Sequence, residues 1–333
     1  MRGAGMRRMA ARLVLSMFLL HAWITPGMAQ TGYPDRAITL IVPFAAGGPS
    51  DVLARHVVEA MSRNLGQRIV VDNAGGAGGT IGSSRGARAA ADGYTILLGH
   101  TGTMAANVGL YKKLPYDTLQ DFEMIGSVGD QPQFLIVRKA LAVRDFREFA
   151  DYARTHQQRM TYGTAGVGSA THLGGLLLNA ALGTETTPIA YRGSGPAMID
   201  LMAGQIDFLI DVSSTALPRI RSGAVTPIAV LRAARVPSAP EIPGARDLGL
   251  PTLDSSIWTV FVAPRGTPRA VVERLNQSLR TALDDPVVRS RLETLGVERP
   301  EAERMSPDGT RAFVRAEIER WLPIIRKAGI SLD

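Results

Sequence analysis

The sequence contains no cysteine. This absence excludes disulfide bonds, thiolate nucleophiles and cysteine-based metal sites. Aromatic residues make up only 6% of the chain, and no basic run is interleaved with aromatic side chains, so the pattern does not indicate nucleic-acid binding. We also expect no metal site, because no H-x-x-x-H spacing occurs among the histidines beyond residue 29, which are His56, His100, His156 and His172.

The one apolar run that approaches membrane-spanning length stands near the amino terminus. Leu13–Ile24 follows a basic segment that contains Arg2, Arg7, Arg8 and Arg12. Small residues, Gly27 and Ala29, come next. This order is typical of a signal peptide, so we expect residues 1–29 to be removed by cleavage near Ala29, between Ala29 and Gln30. An uncleaved membrane anchor is the alternative, which the short apolar run disfavours.

The net positive charge is small when residues 1–29 are left out. The whole chain has 37 basic and 30 acidic residues, and four of the arginines lie in residues 1–29. The remaining chain has 33 basic against 30 acidic residues, a net charge of +3. Its length of about 300 residues suits two domains and buries enough apolar surface to fold without disulfides. We therefore expect an exported, soluble protein.

The stretch that organises the chain is LIVPFAAGGPSDVLAR, residues 40–55. The apolar run Ile38–Phe44 predicts a buried strand, and Ala45–Gly48 predicts a loop without bulk. Ser50 and Asp51 then begin a helix whose apolar stripe recurs every four residues. Unpaired amides and the positive end of the helix dipole suit a carboxylate or a phosphate at such a place. The alternative is a tight strand-to-helix turn that binds nothing.

The same architecture recurs in the second half of the chain. A strand near Thr161–Gly163 leads into GTAGVGS, Gly163–Ser169, and then into another helix. Two such loops predict a ligand trap built mainly from backbone amides. A third glycine-rich stretch, NAGGAGGTIG at 73–82, fails the dinucleotide pattern G-x-G-x-x-G because Ile81 stands where the last glycine is needed. We interpret it as a glycine-rich turn.

Two further features bear on the fold. The apolar pieces Met124–Val128 and Gln133–Arg138 are separated by Gly129, Asp130 and Pro132, which predicts a break at a crossing between domains. After residue 264 the apolar spacing predicts two helices, with Pro323 kinking the second.

Together these stretches resemble the periplasmic solute-binding proteins of tripartite tricarboxylate transporters, the Bug family. The resemblance rests on an ordered set of segments: VPFAAGGPSDVLAR (42–55), NAGGAGGTIG (73–82), DGYTILLG (92–99), YGTAGVGSATHL (162–173), YRGSGPAMIDLMAGQIDFLID (191–211), APRGTPRAVVERLN (263–276) and AGI (328–330). Two positions depart from the family pattern: Leu176, where the family often has Glu, and Pro323 within the last helix.

The resemblance implies an α/β, two-domain type II periplasmic binding protein fold with the ligand cleft between the domains. Domain 1 would comprise residues 30–130 and 252–333, and domain 2 residues 131–251. The loops that match Phe44–Ser50 and Thr164–Ser169 would hold a carboxylate, mostly by main-chain amides and bridging waters, and no cofactor is implied.

Several side chains allow two interpretations. Asp51 either bonds loop amides and shapes the trap or only caps its helix. His172 is either structural or part of a triad with Ser169 and Asp51, although V-G-S-A-T is not a hydrolase elbow. Arg192 either pairs a second ligand carboxylate or is solvated. Asp211 either contacts an ammonium or hydroxyl group of the ligand or caps the next helix.

Phe44 either stacks on the ligand or belongs to the core. Thr164 and Ser169 are ordinary turn and cap residues by type, and the resemblance favours ligand contact for both. The full predicted ligand-binding set is Phe44, Ala46, Gly47, Gly48, Ser50, Asp51, Thr101, Thr164, Ala165, Gly166, Gly168, Ser169, His172, Arg192 and Asp211.

The sequence thus predicts a periplasmic, monomeric solute-binding protein that has no enzymatic activity. It would capture a small organic acid and pass it to membrane transporter subunits or report it to a sensor. The alternatives are an exported α/β enzyme, either a hydrolase using Ser169 or an oxidoreductase, and a binding protein that acts only as a sensor co-receptor. Mono-, di- and tricarboxylates, amino acids and aromatic acids all fit a backbone trap.

Overall fold

A computed structural model describes residues 32–250, 253, 255–327, 329 and 331–332. The predicted signal peptide, residues 1–29, lies outside these described residues. The chain divides into two units, residues 1–35 and residues 36–333. The described part of the first unit, residues 32–35, contains a cis peptide bond between Tyr33 and Pro34. Among the described residues, no helix is both long enough and apolar enough to cross a membrane.

The second unit alternates strands with helices. Its strands are β1 (Ile38–Val42), β2 (Ile69–Asn73), β3 (Thr95–His100), β4 (Phe122–Arg138), β5 (Thr161–Thr164), β6 (Thr187–Ala190), β7 (Phe208–Val212), β8 (Val225–Val230) and β9 (Ser256–Pro264). Its α-helices are α1 (Pro49–Leu65), α2 (Thr80–Ala87), α3 (Asn107–Leu110), α4 (Phe146–His156), α5 (Ala170–Leu182), α6 (Ser194–Met202), α7 (Ser213–Arg221), α8 (Arg269–Asp284), α9 (Pro286–Thr294) and α10 (Pro307–Lys327). A π-helical segment, Thr101–Ala106, and two 3₁₀ turns, Ala77–Gly79 and Ala302–Met305, complete it.

The strands form one sheet in the order β2-β1-β3-β9-β4-β7-β5-β6, and β8 also pairs with β4. In one half β1 lies parallel to β2 and β3, and in the other β5 lies parallel to β6 and β7. The strands between them, β9 and β4, run antiparallel to their neighbours. In each half a parallel strand followed by a helix places a loop at the carboxyl end of the strand, where ligands bind in open α/β sheets.

The predicted break in the middle of β4 is wrong. The strand is continuous from Phe122 to Arg138, through Gly129 and Pro132. Up to Pro132 it pairs with β9, with register shifts on the way, and from Gln133 it pairs with β7. Pro132 has no N–H group and stands where one partner strand replaces another, so the strand tolerates it there. One long strand therefore belongs to both halves of the sheet.

Each half has its own apolar core. In one, Val314, Trp321 and Ile325 of α10 pack against residues of β3, β9 and the π-helical segment. In the other, Phe146 and Phe149 of α4 pack against β4, β5 and β7.

The predicted count of two helices after residue 264 is also wrong, because α9 lies between α8 and α10. Asp285 caps α9 by accepting hydrogen bonds from the amides of Val287, at 2.8 Å, and Val288, at 3.3 Å. The last helix, α10, continues beyond Pro323 to Lys327.

Candidate functional site

The two predicted loops line one cavity of about 140 Å³. The loop after β1 contributes residues 44–50, and the loop after β5 contributes Ala165 and residues 169–171. The start of α6 contributes residues 193–196. Four residues lie outside these segments: His100, Gln131, Val212 and Ile257. This cavity is called the cleft below.

Asp51 fixes the conformation of the loop after β1. Its Oδ2 accepts a hydrogen bond from the Gly47 amide at 2.8 Å, and its Oδ1 accepts one from Asn73 Nδ2 at 3.0 Å. Arg55 Nε donates to Oδ2 at 3.0 Å. Burial favours a raised pKa for the Asp51 carboxyl, but the hydrogen bonds from Arg55, Gly47 and Asn73 outweigh it and lower the pKa. Asp51 therefore remains an ionised acceptor that holds the loop in place.

His172 has the corresponding position in the loop after β5. Its Nδ1 accepts a hydrogen bond from the Gly168 amide at 3.1 Å, and burial lowers the pKa of the ring. Ser169 caps α5, because its Oγ accepts a hydrogen bond from the His172 amide at 3.3 Å. Thr171 Oγ1 accepts one from the Ala165 amide at 2.8 Å. The ring nitrogen is thus engaged with the backbone, and the Ser169 hydroxyl is engaged with the helix.

Three helices begin at the cleft, and this sets its electrostatics. The N-cap residues of α1, α5 and α6 are Gly48, Ser169 and Gly193, and all three line the cleft. The first-turn amides of a helix have no partner within that helix, and the helix dipole adds partial positive charge there. No lysine or arginine occurs among the described residues that line the cleft. An anion would therefore be held by main-chain amides.

The lining of the cleft includes two polar side chains that were not among the predicted ligand-binding residues. His100 ends β3, and its ring stacks on Phe44 with 4.6 Å between ring centroids and 15° between planes. Gln131 lies in β4, and its Oε1 accepts a hydrogen bond from Ser214 Oγ at 2.6 Å. A lone histidine at a strand end and a glutamine inside a strand give no pattern from which this placement could be found.

The predicted ligand-binding residues fall into two groups. Those that line the cleft are Phe44, Ala46, Gly47, Gly48, Ser50, Ala165 and Ser169. Those outside the lining are Asp51, Thr101, Thr164, Gly166, Gly168, His172, Arg192 and Asp211. In the second group, Asp51 and His172 act on the loops, as described above.

Thr101 begins the π-helical segment and bonds it to β9: its Oγ1 donates to the Ser256 carbonyl at 3.1 Å and accepts from the Trp258 amide at 3.0 Å. Thr164 Oγ1 accepts from the Gly166 amide at 3.3 Å, within the second loop. Both hydroxyls are therefore engaged with the backbone.

Asp211 and Arg192 differ in their exposure. Asp211 is fully buried next to the cleft residue Val212 and accepts a hydrogen bond from Thr215 Oγ1. Burial raises the pKa of Asp211 to about 6, against the effect of its hydrogen bonds. Arg192 is exposed.

Two glycines show how closely the loop after β5 approaches the 3₁₀ turn and α3. A Cβ placed on Gly78 would lie 2.5 Å from the carbonyl oxygen of Val167, and one on Gly168 would lie 3.3 Å from Asn107 Oδ1. The loop after β5 therefore packs closely against both the 3₁₀ turn and α3.

A larger cavity of about 790 Å³ lies at the turn between α8 and α9, and it shares no lining residue with the cleft. Both of its arginines pair with Asp284, which lies 2.6 Å from Arg299 and 3.7 Å from Arg289, so neither is left for an anion. Elsewhere in the described part of the chain, no group of three or more His, Asp or Glu side chains is arranged to hold a metal ion. The cleft is therefore the candidate ligand site.

The family model described as "Tripartite tricarboxylate transporter family receptor" (TctC) matches residues 53–330. The chain therefore belongs to this family, whose binding proteins are periplasmic, and the resemblance to the Bug family is confirmed.

Solved structures agree with this assignment. The chain is similar to the periplasmic binding protein BugD, with 39% identity, a TM-score of 0.86, and 90% of this chain and 100% of that chain covered. It is similar to MatC from Rhodopseudomonas palustris with bound malate, with 39% identity, a TM-score of 0.85, and 88% and 100% covered. It is also similar to R. palustris Rpa4515 with adipate, with 34% identity, a TM-score of 0.86, and 90% and 100% covered. The α/β, two-domain type II periplasmic binding protein fold is confirmed.

Proposed function

We propose that this protein captures a small carboxylate in the cleft and delivers it, chemically unchanged, to the membrane subunits of a tripartite tricarboxylate-type transporter. The observation that carries the proposal is the start of three helices at a cleft without a cationic side chain among its described lining residues. Amides and helix dipoles at such ends favour an anion. The similarity to proteins with bound malate and adipate supports the same ligand class here.

The size of the cleft narrows the ligand class. An apolar cavity of about 150 Å³ in a protein interior holds a molecule as large as benzene. The cleft, at about 140 Å³, therefore has room for a small organic acid.

The domain boundaries stay as predicted from the sequence, with residues 30–130 and 252–333 in one domain and 131–251 in the other. Support comes from β4, which exchanges β9 for β7 between Pro132 and Gln133, and from β9, which begins at Ser256. On this division the two loops belong to different domains, and ligand is held between them. Export to the periplasm and a monomeric state complete the proposal.

The hydrolase alternative finds little support in the geometry. A serine nucleophile needs a base within hydrogen-bond reach of its hydroxyl. Here His172 Nδ1 accepts from the Gly168 amide, and Ser169 Oγ is bonded to the His172 amide and to Thr171 Oγ1. Asp51 is bonded to Gly47, Asn73 and Arg55 of its own domain. The three side chains each stabilise a loop and do not form a relay.

The test begins with mass spectrometry of ligand released from protein purified under native conditions. Titration calorimetry and thermal melts with the identified acid follow, since a ligand that binds only the folded state raises the melting temperature. We expect binding with a raised melting temperature and quantitative recovery of the acid. Consumption of the acid would support the enzyme alternative. Uptake that persists in cells lacking the membrane subunits would support the co-receptor alternative.

A further inference from the structure

The hydrogen bonds around His100 fix its tautomer. The ring nitrogen Nδ1 accepts from the Gly102 amide at 2.9 Å and lies 3.3 Å from the Thr103 amide, which also donates to it. A nitrogen that accepts from amides carries no proton itself, so the neutral ring carries its hydrogen on Nε2. Burial lowers the pKa of His100 to about 4, so the ring is neutral at ordinary pH.

The ring is also held rigidly against the cleft. His100 is 4% exposed, its amide donates to Thr103 Oγ1 at 3.1 Å, and its ring stacks on Phe44. Both His100 and Phe44 line the cleft. No residue in the described part of the chain accepts a hydrogen bond from His100 Nε2. The Nε2–H group is therefore a preorganised donor at the cleft.

Gln131 presents a second donor of the same kind. It is 1% exposed and lines the cleft, and its Oε1 is occupied by the hydroxyl of Ser214, at the first turn of α7. With the Ser214 hydroxyl donating to Oε1, the Nε2 end of the amide is left for the cleft. Over the described residues, Gln131 Nε2 has no acceptor.

Gln133, two residues further along β4, is a structural glutamine with which Gln131 can be compared. Its Oε1 accepts from Ser255 Oγ at 2.5 Å, and its Nε2 donates to the Ala170 carbonyl at 3.2 Å. Both ends of its amide are bonded to protein, and it does not line the cleft. Gln131 differs in keeping one end unused at the site where ligand binds.

We propose that His100 and Gln131 donate hydrogen bonds from their Nε2 atoms to ligand oxygens and thereby select acids that carry a second oxygen-bearing group over acids with a plain alkyl chain. This inference rests on the proposed function. The first-turn amides of the three helices suffice for one carboxylate, so these two neutral donors need further acceptors. An alkyl chain would leave both donors buried and unpaired, which sites built around hydrogen bonds reject strongly.

The second group is a carboxylate, hydroxyl or carbonyl oxygen, since neutral N–H donors bond all three. A ligand ammonium group is excluded from this part of the cleft, because it offers no lone pair to an N–H donor.

The experiment is a titration of wild type and variants with butyrate, succinate and L-malate, which share one chain length and differ in their oxygens. Gln131→Met removes the amide at similar size. His100→Asn keeps an acceptor in the position of Nδ1 for the Gly102 and Thr103 amides and removes Nε2. Gln133→Met is the matched control, because it removes a buried glutamine that does not line the cleft.

We expect wild type to bind succinate or L-malate at least about tenfold more tightly than butyrate. Gln131→Met and His100→Asn should each reduce this preference about tenfold. Gln133→Met should lower the melting temperature and keep the preference. If both site variants retain the wild-type preference while the acids still bind, this inference is overturned and the proposed function stands. If wild type binds no small acid at all, the proposed function itself fails.

Discussion

The two loops of the cleft are built to one plan with different chemistry. In each, a glycine amide donates to a side chain four residues later: Gly47 to Asp51 at 2.8 Å, and Gly168 to His172 at 3.1 Å. Both glycines have a positive φ, +76° and +79°. The acceptor is an ionised carboxylate in the first loop and a neutral imidazole in the second.

This difference indicates that the loop conformation needs a hydrogen-bond acceptor for the glycine amide and does not need a charged one. The charge on Asp51 is matched by Arg55 and by the hydrogen bond from Asn73. His172 needs no such partners, because a neutral ring can be buried at little electrostatic cost. The first loop should therefore keep its conformation at low pH. The second loop should be the one that loses its conformation at low pH or when a bulky residue is introduced.

Replacing the two glycines by valine should give the largest effects and should separate the loops. An L-residue in the left-handed region costs about 1–2 kcal/mol, so both variants are strained. A Cβ on Gly47 meets nothing within 4 Å, whereas one on Gly168 lies 3.1 Å from Leu332 Cδ1. We expect Gly47→Val to weaken binding on the order of tenfold and Gly168→Val on the order of a hundredfold.

Calorimetric titration with the identified acid measures both losses. Gly223→Val is the matched control, because Gly223 has a φ of +69°, meets nothing within 4 Å and lies away from the cleft. It should lower the melting temperature and leave affinity unchanged. Wild-type affinity in Gly168→Val would contradict the two-loop cleft.

Removing the acceptors should give the next largest effects. Asp51→Ala deletes hydrogen bonds to a charged group, each worth about 1.5–3 kcal/mol, so affinity should fall about 10- to 100-fold. His172→Ala deletes one neutral bond, worth about 0.5–1.5 kcal/mol, so affinity should fall about 2- to 10-fold. His172→Asn should restore most of it, because Asn Oδ1 takes the position of Nδ1. An equal loss in both alanine variants would remove the distinction between the loops.

Of the two loops, lower pH should weaken only the second. Burial lowers the pKa of His172 below 6.5 in the folded protein. As the pH falls below 6.5, the unfolded chain therefore binds a proton before the folded chain does, and the free energy of unfolding decreases. Once His172 is protonated, Nδ1 no longer accepts from Gly168. Asp51, whose pKa is lowered from 3.8, stays ionised. Titrations of wild type and of His172→Asn with the same acid between about pH 7 and 5 should show a modest loss of affinity in wild type that exceeds the loss in His172→Asn, and the comparison cancels protonation of the ligand. A loss that persists in His172→Asn must come from the ligand or from another group, such as Asp211, whose pKa is about 6.

The smallest effect should come from Arg192→Ala. The sequence left open a pairing between Arg192 and a second ligand carboxylate, but the side chain is exposed and outside the cleft lining. Exposed charges of this kind contribute about 0–1 kcal/mol, so affinity should change by less than about fivefold. Complete loss of binding in a folded Arg192→Ala variant would mean that an arginine side chain, and not the amides of the two loops, holds the ligand.

Sequence was a good guide wherever the signal was local. Helix α4, which spans Phe146–His156 with Asp145 as its cap, is marked by local signals alone, because its apolar stripe and its capping residue are adjacent in sequence. The strand, loop and helix units around Gly47 and Gly168 were predicted for the same reason.

Features that depend on distant pairing were missed. Gly129 and Pro132 indicate a break by residue type, yet β9 pairs alongside them and β4 continues. His100 and Gln131 reach the cleft only because β3 and β4 lie near β9, which begins more than a hundred residues later in the chain. Gly168 and His172 were predicted to contact ligand but lie outside the lining, where the Gly168 amide bonds to His172 Nδ1.

The place of β9 in the sheet determines when the fold can be completed. Strands β3 and β4 are made early in synthesis, but they do not pair with each other, because β9 lies between them. A chain emerging amino terminus first therefore carries two open sheet edges until residues 256–264 arrive. During that interval the nascent chain offers templates for intermolecular strand pairing. A chain truncated before Ser256 should consequently aggregate and should not fold into a stable half.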